Sequence, residues 1–144
     1  MFRSKVRALG IVLAVVLVGS VLVVSYQARR ALVASHTMVV GRATTSLVKD
    51  YVGQHHSWPQ SWDDLRSIQP SAPFAQSGQF IDTAQTRVVI DLTVTLQDLE
   101  TLTVEDFTAI RPRGYAHPGY KEYWEFESLL EACRSAANDK KRQK

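Results

Sequence analysis

The sequence predicts an α+β chain: a long N-terminal helix, transmembrane and then amphipathic, packed on a small antiparallel sheet, with a C-terminal helix. Three observations lead there. Ala8 to Tyr26 contains no charge, Asn, Gln, His or Pro. Apolar residues then recur at three- and four-residue spacing from Leu32 to Tyr51, and after Gly78 the period falls to two. A length of 144 residues with 45% hydrophobic composition suits one small domain and excludes a large multidomain enzyme.

The membrane segment comes first. The apolar run from Ala8 to Tyr26 gives a helix about 28 Å long, close to the hydrocarbon thickness of a bilayer. Arg3, Lys5 and Arg7 precede it, and Tyr26, Arg29 and Arg30 follow, which are the flanks of a single-pass signal-anchor. A cleavable secretory signal is the alternative, with Val23-Val24-Ser25 as its cleavage site. The run is longer than such signals use. The basic residues on the two sides nearly balance, and the amino terminus tips the orientation toward N-terminus inside and body outside. In a bacterium that is the inner membrane with the body in the periplasm. Gly10 and Ala14 form a small-xxx-small pair that would let another helix approach closely, although both residues are common in any membrane helix.

Beyond Arg30, the stripe Leu32, His36, Val39, Val40, Ala43, Leu47 and Tyr51 predicts that the same helix continues to about Val52, with Gly53 as its stop. Gly41 inside the stripe costs about 1 kcal/mol relative to Ala. After the Gln54 to Gln60 loop, Ser61 caps a short helix from Trp62 to about Ile68. Asp63 and Asp64 occupy its first turn, and Pro70 and Pro73 follow it. Gln79 to Thr83 and Arg87 to Leu96 then read as a hairpin joined at Ala84-Gln85, with Val88, Ile90 and Val94 on the buried face and Thr93 on the other. Asp106 to Arg111 reads as a strand stopped by Pro112, and Tyr120 to Phe126 as a fourth, aromatic strand. Ser128 to Asn138 returns to helix with Leu129, Leu130, Cys133 and Ala136 inward, before a frayed basic tail. The organisation is a basic flank at 1–7, a membrane helix at 8–26, an amphipathic continuation at 27–53, a small α+β body at 54–138 and a basic tail at 139–144.

Charge is divided the same way. The first carboxylate is Asp50, and residues 50 to 139 hold all 14 acids against six bases. The net charge of +3 therefore comes from the ends, and the acidic body is a poor nucleic-acid surface.

A helix that is half anchor and half amphipathic, then Trp58-Pro59, Leu65 and a small antiparallel sheet, resembles the type IV pilin-like proteins, especially the pseudopilins of type II secretion. The resemblance covers the architecture and roughly the first 65 residues. It implies a leader ending in Gly, followed by Phe or Met, with Glu five residues into the mature chain. Here Gly10 is followed by Ile11, and Val15 stands where the carboxylate would be. The resemblance therefore carries over the shape, while prepilin-peptidase processing and filament assembly are not expected.

Candidate chemistry is sparse. His55 and His56 are adjacent and lack the i, i+4 spacing that lets two imidazoles share a metal; Asp63 and Asp64 add carboxylates nearby, and an exposed loop before a helix accounts for all four. His36 and His117 have no evident partners. Cys133, the only cysteine, fits a core position and excludes an intramolecular disulfide. Glu122, Glu125 and Glu127 with Tyr123 and Trp124 allow a carbohydrate subsite, although a charged edge strand has the same pattern. Arg111, Pro112, Arg113, Tyr115 and His117 form a basic, aromatic cluster that suits an anionic partner or a turn paired with local carboxylates. No catalytic, cofactor-binding or metal residue is assigned.

These features point to a non-enzymatic structural or assembly component of the cell envelope, with the lipid bilayer and a membrane or envelope protein as partners. A membrane-tethered module binding a ligand or envelope polymer is the alternative. A hydrolase ranks below both.

Overall fold

In the computed structural model the first element is a single helix, α1, spanning Phe2–His55. The structure describes residues 2–68, 78–114 and 117–142. Then follow α2 (Trp62–Arg66), α3 (Gly78–Arg87), β1 (Val88–Ile90), α4 (Leu96–Leu99), β2 (Ile110–Pro112), α5 (Tyr120–Tyr123) and α6 (Phe126–Arg142). The fold is α+β, with a long N-terminal helix, a small antiparallel sheet and a C-terminal helix. The chain divides into two compact units, Met1–Val33 and Ala34–Lys144.

In the first unit, the large apolar side chains from Leu13 to Val33 are all exposed. The second unit holds the core. Val40, Leu47, Val48 and Val52 of α1 share one buried cluster with Trp58, Leu65, Ile81, Val88, Ile90, Leu99, Phe107, Ile110, Trp124, Phe126 and Leu129.

The face of α1 that enters this core departs from the expected stripe. Val40, Ala43 and Leu47 are buried, but Leu32, His36 and Val39 are exposed, and the positions taken instead are Ala34, Thr37, Thr44, Thr45, Val48 and Val52. Threonines are tolerated because their hydroxyls donate back to the helix: Thr44 Oγ1 to the Val40 carbonyl at 2.8 Å, and Thr45 Oγ1 to that of Gly41 at 3.0 Å. Small residues on this face leave room for bulky partners from elsewhere.

Gly53 does not stop α1. The helix continues to His55, whose ring stacks on Tyr51 at 4.5 Å, and ends where His56 turns left-handed at φ 47° with its amide donating to the Val52 carbonyl. The Ser61 cap is present as a full capping box: Asp64 N donates to Ser61 Oγ at 3.1 Å, and the Asp64 carboxylate accepts from Ser61 N at 2.9 Å. The helix it opens ends at Arg66 rather than near Ile68. Pro70 and Pro73 lie outside the described residues.

The expected strand at Gln79 to Thr83 is the helix α3. Ile81 and Ala84 are buried three residues apart on this helix, and Asp82 is paired with Arg66 of α2. The second expected strand is cut to three residues because Asp91 closes a turn, accepting from Thr93 N at 3.0 Å and Thr93 Oγ1 at 2.7 Å. Thr95 then caps α4 through a second capping box with Asp98. The polar positions that looked like one face of a strand are therefore turn and cap residues.

No hairpin joins residues 79–96. The β1 strand pairs antiparallel with β2, Val88 opposite Pro112 and Ile90 opposite Ile110, across the intervening 91–109 segment. β2 begins at Ile110 rather than Asp106 and takes in Pro112 as its last residue; every strand of a two-stranded sheet is an edge, so the missing N–H is tolerated. The aromatic strand expected at Tyr120 to Phe126 is also helical. Tyr120 and Trp124, four apart, meet edge-on at 5.1 Å, and Glu125 takes a left-handed φ of 58° between α5 and α6. The basic tail is not frayed from Asn138: α6 runs to Arg142, and Lys141 Nζ pairs with Glu100 Oε1 at 2.7 Å.

Candidate functional site

The second half of α1 is fastened to the corner between α5 and α6. Arg42 pairs with Glu125 and lies 5.5 Å above the Tyr123 ring, Lys49 Nζ donates to Ser128 Oγ at 3.1 Å, and the Trp124 indole lies against Gly41. These ties hold the buried face of α1 in the body. The sheet shares the same buried cluster through Val88, Ile90 and Ile110.

Beside this corner is a groove of about 730 Å³ with Glu105, Glu122, Glu127 and Glu131 on its walls and Phe126 and Leu130 beneath. Its two cations serve the backbone. Lys121 donates to the carbonyls of Val104 and Glu105, and Arg134 donates to those of Glu100 and Leu102 at 3.1 and 2.8 Å, so both anchor the loop after α4. Of the aromatic residues expected beside these carboxylates, Trp124 is fully buried, while Tyr123 is 43% exposed with Arg42 over its ring. Trp124 Nε1 has no hydrogen-bond partner among the described residues.

His55 and His56 are exposed at the end of α1, separated in role: one stacks on Tyr51 and the other forms the left-handed terminus. Asp64 is occupied by the capping box. Its carboxyl is held below the usual range first by the Gln60 backbone amide and then by Ser61. Asp63 pairs with Arg66 at 3.2 Å. Among the described residues no group of three or more His, Cys, Asp or Glu side chains could hold a metal ion. The structure thus does not bring the four residues of this loop together as ligands.

Cys133 lies in the core as expected, and burial pushes its thiol up to about 12, so at neutral pH it is a protonated, inert side chain. His36 is exposed on α1, and His117 Nδ1 accepts from Gly119 N at 3.2 Å. In the basic cluster, Arg111 stands on β2 opposite Val89 and acts on the Asp91 carboxyl, which is held low mainly by the Thr93 hydroxyl. Arg113 N donates to the Arg87 carbonyl at 2.7 Å. Tyr115 lies outside the described residues.

Sequence reasoning missed the Gly41–Trp124 contact. Its one signal was a glycine in the middle of an otherwise strong helix. By length and composition, one helix near the N-terminus suffices to cross a membrane. No family model, curated protein or solved structure matches this chain.

Proposed function

We propose that this is a single-pass membrane protein anchored by α1, whose body serves as a non-enzymatic structural or assembly component of an envelope. The observation that carries this reading is the exposed apolar surface of α1 from Leu13 to Tyr26, which has no protein cover. Water would penalise that surface at about 25 cal/mol per Å², and a bilayer removes the penalty. Arg29 and Arg30 after Tyr26 suit the interfacial layer, and the N-terminus is placed inside. The pilin-like resemblance enters only as shape, because Val15 occupies the carboxylate position.

The test is fractionation of cells expressing the full chain. Retention in the membrane pellet through high-salt and carbonate washes is expected. A soluble chain beginning near Tyr26 would identify the segment as a cleaved signal and overturn the reading.

A further inference from the structure

We propose that the cavity between the end of α1, α4 and the last turns of α6 binds a small phosphate monoester, with the phosphate held by Lys140, His56, Ser57 and Gln97 and the organic group laid on Val94, Leu96 and Ala137. The cavity measures about 460 Å³, within the size range of small-molecule sites. All of its lining belongs to the Ala34–Lys144 unit, so the proposal is independent of the anchoring by α1.

Charge sets this cavity apart from the rest of the body. Residues 50 to 139 carry 14 acids against six bases, yet the described residues lining the cavity include no Asp or Glu and do include His56, Lys140 and Lys141. Lys141 is neutralised, since its Nζ lies 2.7 and 2.9 Å from the two carboxylate oxygens of Glu100. Lys140 forms no ion pair among the described residues and leaves an uncompensated positive charge at the wall. The glutamate-walled groove beside α5 and α6 would repel the same ligand.

The donors select phosphate. The His56 imidazole presents an N–H in either protonation state, Ser57 a hydroxyl, Gln97 an amide and Lys140 an ammonium, and none of these side chains has a hydrogen-bond partner among the described residues. The other polar side chains of the wall are occupied: Thr95 Oγ1 donates to Asp98 Oδ2 at 2.6 Å, and Gln60 Nε2 to the Trp58 carbonyl at 3.2 Å. The free donors come from three separate segments of chain around one space. A tetrahedral phosphate accepts from several directions and answers the ammonium, whereas a planar carboxylate offers two oxygens and leaves some of these donors unmet.

The remaining wall is apolar. Leu96 and Ala137 line it, and Trp58, 2% exposed, has its indole N–H committed to the Asp91 carbonyl at 2.8 Å, so it offers only carbon. A bare inorganic ion would leave this surface wet, which favours an ester with an organic group. The frame is fixed in advance. The Asp64 carboxylate accepts from Gln60 N at 2.7 Å, the Asp98 capping box holds Thr95, and the Lys141–Glu100 pair ties α6 to the end of α4. Such preorganisation lowers the ordering cost of binding.

The test titrates phenyl phosphate calorimetrically into the full chain in an uncharged maltoside detergent. Saturable one-to-one binding is expected, with inorganic phosphate and benzoate each bound several-fold more weakly. Lys140→Ala, and the near-isosteric Gln97→Glu that sets a carboxylate in the wall, should each weaken phenyl phosphate binding several-fold. Both side chains are exposed, so the circular dichroism and denaturant midpoint of the body should stay unchanged. Arg142→Ala removes the same charge from the same helix outside the lining, and should leave binding within about twofold. The proposal is overturned by any of four results: no saturable binding, no loss in the two wall variants, an equal loss in Lys140→Ala and Arg142→Ala, or benzoate or inorganic phosphate binding as tightly as phenyl phosphate. Competition then identifies the source of the ester. Displacement of bound phenyl phosphate by dihexanoyl phosphatidic acid supports the site with a lipid headgroup as its ligand, and saturable binding without displacement supports it with a soluble ester.

Discussion

Gly41 and Trp124, separated by most of the body's sequence, are in such close contact that a Cβ added at Gly41 would lie 1.9 Å from Cε2 and Cζ2 of the indole. Both atoms belong to a rigid ring, fully buried and held edge-on by Tyr120 and Phe126. The glycine is therefore a notch in α1, and the indole is the knob that fills it.

Gly41→Ala should destabilise the body in spite of its gain of about 1 kcal/mol in helix propensity, because overpacking costs about 1 to 3 kcal/mol or more. Gly53→Ala is the control: it lies in the same helix with nothing within 4 Å of an added Cβ, and should stabilise by about 0.5 to 1 kcal/mol. Denaturant unfolding of the full chain in detergent, followed by circular dichroism, compares them. Equal shifts in the two variants would mean that the notch is unimportant.

Leu47→Ala should cost about 2 to 5 kcal/mol, since the side chain is 1% exposed at the centre of the shared core. Thr93→Ala, which keeps the backbone N–H bond to Asp91 and loses only the exposed hydroxyl one, should cost about 0.5 to 1.5 kcal/mol. The same unfolding experiment reads both, and comparable losses would remove α1 from the core.

Acid stability should depend on the two capping boxes. Asp64 and Asp98 both have folded-state pKa values lowered, Asp64 mainly by the Gln60 amide and Asp98 mainly by the Thr95 hydroxyl. A lowered folded value means that the unfolded chain binds the proton more readily. Their contribution is thus present above the unfolded carboxyl value of about 3.9 and is lost as pH falls through the lower folded value. Asp64→Asn with Asp98→Asn should flatten stability against pH in that acidic window and leave the slope near neutral pH unchanged. An unaltered acid limb would show that the boxes do not contribute.

Cys133 should resist a thiol-directed disulfide reagent at about pH 8 until the body unfolds. Labelling that tracks the denaturant transition is the expected result. Rapid labelling of the folded chain would contradict its core position.

Several features were legible in the sequence because they depend on neighbours a turn away. Ser61 and Asp64 are three residues apart and make their box within one turn of chain, and Leu129, Leu130, Cys133 and Ala136 mark the buried face of α6 through its own period. His55, His56, Asp63 and Asp64 take separate local roles, each set by residues within a turn or two of chain. The misreadings fell on short segments. Five residues such as Gln79 to Thr83 satisfy a period of two almost by accident, and the burial of Ile81 and Ala84, three apart on one face of α3, distinguishes the two structures.

By itself the sequence determined the long apolar helix, its charge-free run, the acidic body and the C-terminal helix, since each is a property of composition or of contacts within a few residues. Tertiary structure alone decided that β1 pairs with β2 rather than with a neighbouring hairpin strand, and that α1 buries Thr37, Thr44 and Thr45 while leaving Leu32 and Val39 exposed. Hydrophobicity ranks Leu and Val above Thr for burial, but close packing rewards shape. An indole seated on Gly41 turns the small-residue face of the helix inward, and contacts between residues so distant in the chain leave no periodic trace in it.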